Sequence, residues 1–272
     1  LTHTYTGYPL VKKAKELVQH GELGDITKVI AEYHQGWLAD KNAETSKQAA
    51  WRLDPKQAGI SCCIGDIGVH ATNLAEYITG TEIVEVCADL NSTVDGRVLD
   101  DDGLVILKFS DATKGYLSAS QICVGEENNL RIRVYGTKAS IDWSQHEPNT
   151  LWLRSNTEPS LQFRTNVGDC SPFVASAIRT PAGHPEGYIE AFANIYQNVA
   201  RQITAYKQGN ISDSIASNQL YDIPGIDDAI SGMRFIETVV EASNSSQKWH
   251  KVEHALTSNK APSNEGASYA VT

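Results

Sequence analysis

The chain has 272 residues, 41% of them apolar, with 23 lysines and arginines against 33 acids and a formal net charge of −10. That is enough apolar matter for a real core in one large domain or two modest ones, and an acidic chain with no Lys/Arg-rich run is a poor partner for nucleic acid or an anionic membrane surface, which leaves small molecules. No apolar run reaches the roughly 18 residues of a membrane span and no signal-peptide layout opens the chain, so a cytoplasmic location is expected; the five cysteines, with Cys62 and Cys63 adjacent and the rest isolated, fit neither a disulfide framework nor a zinc ribbon and read as reduced.

In chain order, LTHTYTG reads as a short strand and loop. PLVKKAKELVQHGELGD reads as an amphipathic helix with Leu10, Ala14, Leu17 and Val18 on its apolar face and Gly21 or Gly24 as its stop. A strand and helix with no partner strand is half of a unit, and the chain opens at Leu1 with its only methionine at Met233; residues 1–25 therefore read as the remnant of a further domain. From Ile26 the hydrophobic period becomes two. ITKVIAEYHQGW alternates cleanly, followed less regularly by TEIVEVCADLN, GLVILKFS, TKGYLSASQICV, NLRIRVYG, ASIDWS and TLWLRS, each bounded by Gly, Asp, Asn or Pro. Links as short as SDATKG and YGTKAS close hairpins but hold no crossover helix, so most of this sheet is antiparallel. Helices are expected near 66–79, 185–207 and 226–244, the second with Ile189, Phe192, Tyr196, Val199, Ile203 and Tyr206 as a core-facing stripe. Segments 38–60 and 155–184 are long and irregular, a feature of functional or mobile loops. The fold class is α+β: a large open, mainly antiparallel sheet with helices on one face over residues 26–255, then 256–272, rich in Ser, Asn, Lys and Gly, as a disordered tail.

The stretch SCCIGDIGVHATNLAEYITG, residues 61–80, places an acid and a histidine four apart. At about 100° per residue, Asp66, His70, Asn73 and Tyr77 share one sector of a helix, while Ile67, Ala71, Leu74 and Ile78 form an apolar stripe roughly 90° away. The polar sector thus lies at the rim of the core, where an imidazole is partly desolvated and can be tuned for proton transfer beside a carboxylate. The same spacing also fits a plain N-terminal Asp with a solvent-exposed i, i+4 partner.

Other signatures are absent: no G-x-G-x-x-G or G-x-x-x-x-G-K-[ST] cradles a phosphate, and there is no G-x-S-x-G or H-E-x-x-H. The run Asp100, Asp101 and Asp102 before a glycine reads as a solvated turn rather than a metal site. Trp37, Trp51 and Trp143 read as packing, with Trp51 beside Arg52 in the long loop the best exception.

GDIGVHATNL is similar to the D-x-G-x-H motif of the glucose-fructose oxidoreductase and inositol dehydrogenase family, NAD(P)-dependent enzymes acting on sugars and cyclitols. THTYTGYPLVKKAKELVQHGELGDITKV resembles the family's segment joining its nucleotide-binding and sheet domains. WRLDP, NLRIRVYGTKASI, AGHPEGYIEAFANIY and YDIPGIDDAISGMRFIETVVEAS followed by a tryptophan come in the family's order, so the likeness covers about residues 2 to 254. It implies that Asp66 and His70 are the active-site pair, with His70 exchanging the proton of the reacting hydroxyl while hydride moves to or from the nicotinamide of NAD or NADP, and Asp66 binding the substrate and orienting that exchange. It implies substrate contacts at His184, Trp51, Arg52 and Asn73. The glycine-rich fingerprint and the E-K-P lysine of the family would precede Leu1, so this chain alone is expected to be inactive. A sheet with helices on one face only leaves an apolar surface that seeks a partner, here a homodimer or homotetramer. Two other classes stay open: a metal-dependent hydrolase or lyase using Asp66, His70, His184 and His34, and a non-catalytic assembly or sugar-sensing module.

Overall fold

Alternation of apolar and polar residues builds one nine-stranded sheet in the computed structural model, which describes residues 1–209 and 219–253. The expected tail at 256–272 lies outside the described residues. The strands are β1 (Ile26–His34), β2 (Ile83–Asn91), β3 (Asp102–Phe109), β4 (Lys114–Ser120), β5 (Asn129–Gly136), β6 (Ala139–Ser144), β7 (Thr150–Ser155), β8 (Leu161–Arg164) and β9 (His250–Lys251). Their spatial order is β8-β7-β6-β5-β1-β4-β3-β2-β9. The seven strands read from the sequence are β1 to β7; β8 and β9 are four and two residues long, too short to show a period.

Only β1 and β4 run parallel, with Ala31 opposite Leu117; all other neighbours are antiparallel. The parallel pair exists because the chain leaves β1 through a helix before the β2–β3–β4 meander returns beside it, whereas β5 to β8 extend from the other edge of β1. The α-helices among the described residues are α1 (Pro9–Gln19), α2 (Lys47–Arg52), α3 (Pro55–Ala58), α4 (Val69–Thr79), α5 (Pro172–Ala175), α6 (Tyr188–Lys207) and α7 (Ile226–Ser243). Gly80 ends α4 in the left-handed conformation, φ 71°, which glycine adopts without a Cβ penalty.

The core lies under α1, α4 and α7. Val29, Ala31 and Tyr33 of β1, Val105 and Leu107 of β3, and Leu130, Ile132 and Val134 of β5 point inward and meet Ile67, Ala71, Leu74 and Ile78, all buried. Each Val, Leu or Ile among them contributes roughly 1.5–3 kcal/mol by leaving water, which fixes the helix carrying His70 against the sheet. The outer face is not the apolar surface expected. Its alternate positions carry Lys108–Glu85, Arg133–Glu32 and Arg131–Asp142–Arg154 ion pairs, with Leu104 and Ile106 half exposed among them.

α6 departs from its predicted orientation. The stripe read as core-facing turns outward: Ile189, Tyr196, Ile203 and Tyr206 are 78%, 61%, 51% and 72% exposed. The buried face is instead Ala191, Asn194, Ile195, Asn198 and Ala205. Small and amide side chains won because α6 lies on the turn at Thr4–Gly7 rather than on the sheet, and that approach is very close: a Cβ on Gly7 would stand 2.2 Å from the Ala191 carbonyl oxygen. Asn194 fills the same seam, its Nδ2 donating to the Gly7 and Ala177 carbonyls at 3.0 and 2.7 Å.

Candidate active site

The segment carrying the acid–histidine pair is held from below by Asp100, the first of the acids that were read as a solvated turn. Asp100 and Asp101 are buried, the latter fully. Asp100 accepts from the Cys62 and Ile64 backbone N–H groups, both at 2.8 Å, and from Ser61 Oγ at 3.0 Å. Asp101 accepts from the Thr93 and Val94 N–H groups and from Arg97 Nη1 at 3.0 Å. Buried carboxylates persist when N–H donors saturate them, a condition that neighbouring residues in sequence do not reveal.

On this footing the helix begins as a π-turn, Ile64–Gly68, before α4 continues it. Such wide turns interrupt helices frequently at functional sites. Asp66 sits in the π-turn, and its hydrogen bonds run sideways rather than up the helix. Its Oδ2 accepts from Arg52 Nε at 2.8 Å and Gln121 Nε2 at 2.9 Å. Arg52 in turn stacks on Trp51, its guanidinium carbon 4.3 Å from the ring centroid, so α2 delivers both residues to the pair as a unit.

His70 does not hydrogen-bond Asp66. Its Nδ1 lies 2.9 Å from Nδ1 of His3, with the two rings perpendicular and centroids 4.9 Å apart. The Tyr5 ring stands edge-on to His70 at 5.4 Å, and the Tyr5 hydroxyl bonds that of Tyr33, which donates to Asn128 Oδ1 at 2.8 Å. Burial lowers the His70 pKa below the ordinary histidine value, against the pull of the Asp66 charge. Burial and then the neighbouring His70 push His3 down to about 3. Both imidazoles are therefore neutral at physiological pH, the form in which one nitrogen accepts and the other donates. Burial pushes the Tyr33 phenol up to about 12 and the Cys62 thiol up to about 12, so neither supplies an anion or nucleophile.

A cleft of about 620 Å³ opens here, lined by His3, Trp51, Arg52, Asp66 and His70, with Asp228, Met233 and Glu237 of α7 on its far wall. Of the residues singled out in the sequence, four meet in this cleft: Trp51, Arg52, Asp66 and His70. Asn73 lies one turn on, buried, its Nδ2 donating to Asp228 Oδ1 at 3.2 Å. His184 is exposed in the turn before α6, its ring nitrogen 3.2 Å from the Pro181 carbonyl, and is not among the cleft residues. His34 bonds Ser118 Oγ at 2.9 Å on the outer sheet face. Among the described residues no three His, Cys, Asp or Glu side chains converge as a metal-ligand set. His3 and Gln121 were missed, because each reaches the site through a contact 55 or more residues away in sequence and carries no local motif.

Residues 11–142 match the GFO/IDH/MocA C-terminal domain. An uncharacterized oxidoreductase of Bacillus subtilis, YfiI, is 31% identical over 252 residues, covering 92% of this chain and 63% of that protein. Residues 11–142 carry the C-terminal domain of the GFO/IDH/MocA family. A further relative, the levoglucosan dehydrogenase of Pseudarthrobacter phenanthrenivorans, is 26% identical over 255 residues, 83% of this chain and 62% of its own length. In structure, the chain is similar to an inositol dehydrogenase homolog from Azotobacter vinelandii complexed with NAD+, with a TM-score of 0.86 at 27% identity, covering 92% of this chain and 64% of that one. The same homolog complexed with NADH and myo-inositol gives 0.82 at 26%, covering 92% and 63%. The chain thus spans under two thirds of the length of these relatives.

Proposed function

We propose that the intact protein is an NAD(P)-dependent oxidoreductase that moves hydride to or from a sugar, cyclitol or related polyol, and that this chain supplies its substrate-binding part and its proton-exchanging residue. The observation that carries the reading is the neutral His70 imidazole at the edge of a cleft beside Asp66, whose carboxylate is fixed by Arg52 and Gln121. Levoglucosan, on which one relative acts, and myo-inositol, bound by another, are uncharged polyhydroxy compounds, and the cleft suits that chemistry: Asp66, Asp228 and Glu237 offer acceptors for hydroxyl groups.

The residues present fit the reactive end of a dinucleotide and not its pyrophosphate. Val69, Met233 and Ile236 give an apolar wall next to His70 suited to an uncharged ring, while no glycine-rich turn occurs in the chain. When bound, NAD(P) supplies the hydride acceptor or donor. The chain's own part is the proton. His70 Nε2 takes the hydroxyl proton in oxidation and returns it in reduction, a task suited to an imidazole that is neutral near pH 7. Asp66, immobilised by two donors, binds and orients the substrate, and Trp51 with Arg52 closes the side of the cleft. Family likeness adds Asn73 and His184 as substrate contacts and a homodimer or homotetramer built through the outer sheet face.

The test is turnover: the intact protein with NAD or NADP and a panel of neutral sugars, anhydrosugars and inositols, followed at 340 nm. Reduction of the nicotinamide by at least one polyol is expected; no turnover across the panel with either cofactor would overturn the reading.

A further inference from the structure

Two neutral imidazoles that meet through the same nitrogen, Nδ1 to Nδ1 at 2.9 Å, are bonded by one shared hydrogen. The rings are perpendicular and both residues line the cleft, so the bond borders the site although His3 itself is largely buried. Asp66, the obvious partner for His70, makes no hydrogen bond to it, its Oδ2 accepting from Arg52 and Gln121 instead. Among the described residues, the hydrogen bond that orients His70 therefore comes from His3. Its position is enforced, since Thr6 Oγ1 donates to the His3 carbonyl at 2.9 Å and the following turn is clamped by α6.

Resting on the dehydrogenase reading above, we propose that His3 and His70 form a two-imidazole proton wire. In the state ready for oxidation the shared hydrogen is on His70 Nδ1, which leaves His70 Nε2 with a free lone pair, while His3 carries its other hydrogen on Nε2. When the substrate hydroxyl O–H bond breaks, a new N–H bond forms at His70 Nε2 and the electron pair left on oxygen becomes the carbonyl as hydride departs to the nicotinamide. The Nδ1–H bond of His70 then breaks as the Nδ1–H bond of His3 forms, and His3 releases its Nε2 hydrogen to water in the cleft. The pair holds two hydrogens before and after, so it is neutral at both ends and one proton has crossed from substrate to solvent. Reduction runs the same steps backwards. A single histidine would keep the imidazolium charge on its own ring, whereas the pair passes it through His3 to water; once product has left, a water proton taken up at His3 Nε2, return of the shared hydrogen to His70 Nδ1 and loss of the His70 Nε2 hydrogen to water restore the starting state.

The wire predicts a spectroscopic signature in the 272-residue chain, independent of turnover. With ring-¹⁵N histidine, long-range proton–nitrogen spectra at neutral pH should show a coupling across the hydrogen bond between the two Nδ1 atoms, with one of them protonated and the other bare; loss of these signals in His70→Asn assigns them. Two rings both protonated only at Nε2, with no coupling, would overturn the proposal and leave the dehydrogenase reading, which rests on turnover, standing. In the intact protein, His3→Ala should lower kcat about tenfold or more at nearly constant KM, and added imidazole should restore part of it. An unchanged kcat would also overturn the wire, since mere packing has no need of a second nitrogen.

Discussion

His3 is a buried histidine whose folded pKa lies near 3, against an ordinary value of 6.5, so folding is linked to its deprotonation. Between those values the unfolded chain binds a proton that the folded chain does not. The stability this group contributes is thus fully present above about pH 6.5 and is lost as pH falls toward 3, at up to about 1.4 kcal/mol per pH unit. His70, also lowered, acts in the same direction. The urea midpoint of the chain should therefore fall steadily on acidification below pH 6.5, and His3→Asn should fall less steeply; parallel slopes would contradict the burial of His3. At this scale the sequence was informative where chemistry is local. Asp66 and His70 stand four apart on one helix face, and Trp51 with Arg52 are neighbours, so all four were named. His3 opens the chain with no period around it, and only the fold brings it to His70.

The elements depend on caps and close contacts that periodicity does not register. Asp100 is the main support of the π-turn that aims Asp66, because three donors from Ser61, Cys62 and Ile64 converge on it. Asp100→Ala leaves those buried donors without their acceptor and should cost about 3 kcal/mol or more in chemical denaturation, whereas exposed Asp95→Ala should stay within about 0.5 kcal/mol. Equal effects of the two would refute the support role. Seven strands and four long helices were readable, since period two and period 3.6 differ clearly over eight or more residues. Which face of α6 turns inward was not readable: Ile189, Tyr196 and Ile203 make the stronger hydrophobic stripe, yet the close approach to Gly7 admits only Ala191 and its neighbours.

For the whole molecule, the sheet serves as a floor that holds α4 and α7 on either side of the cleft, and its outer face carries charged side chains. If copies of the chain pair there, ion pairs such as Arg133–Glu32 at 2.5 Å and Arg131–Asp142 at 2.8 Å make the contact salt-sensitive. Light scattering should find a dimer or tetramer that weakens in high salt; a monomer at micromolar concentration in low salt would count against that face. The family and the sheet were legible from motifs in register, while the charged character of the outer face was not, because alternation marks which residues face out without telling what meets them. The central claim is that His70 exchanges the proton of the reacting hydroxyl. It is tested most directly by His70→Asn in the intact protein, with the best polyol of the panel and saturating cofactor, following the initial rate of nicotinamide reduction. The account predicts a fall in kcat of about 10² or more with the fold intact by circular dichroism; turnover at the wild-type rate would contradict it.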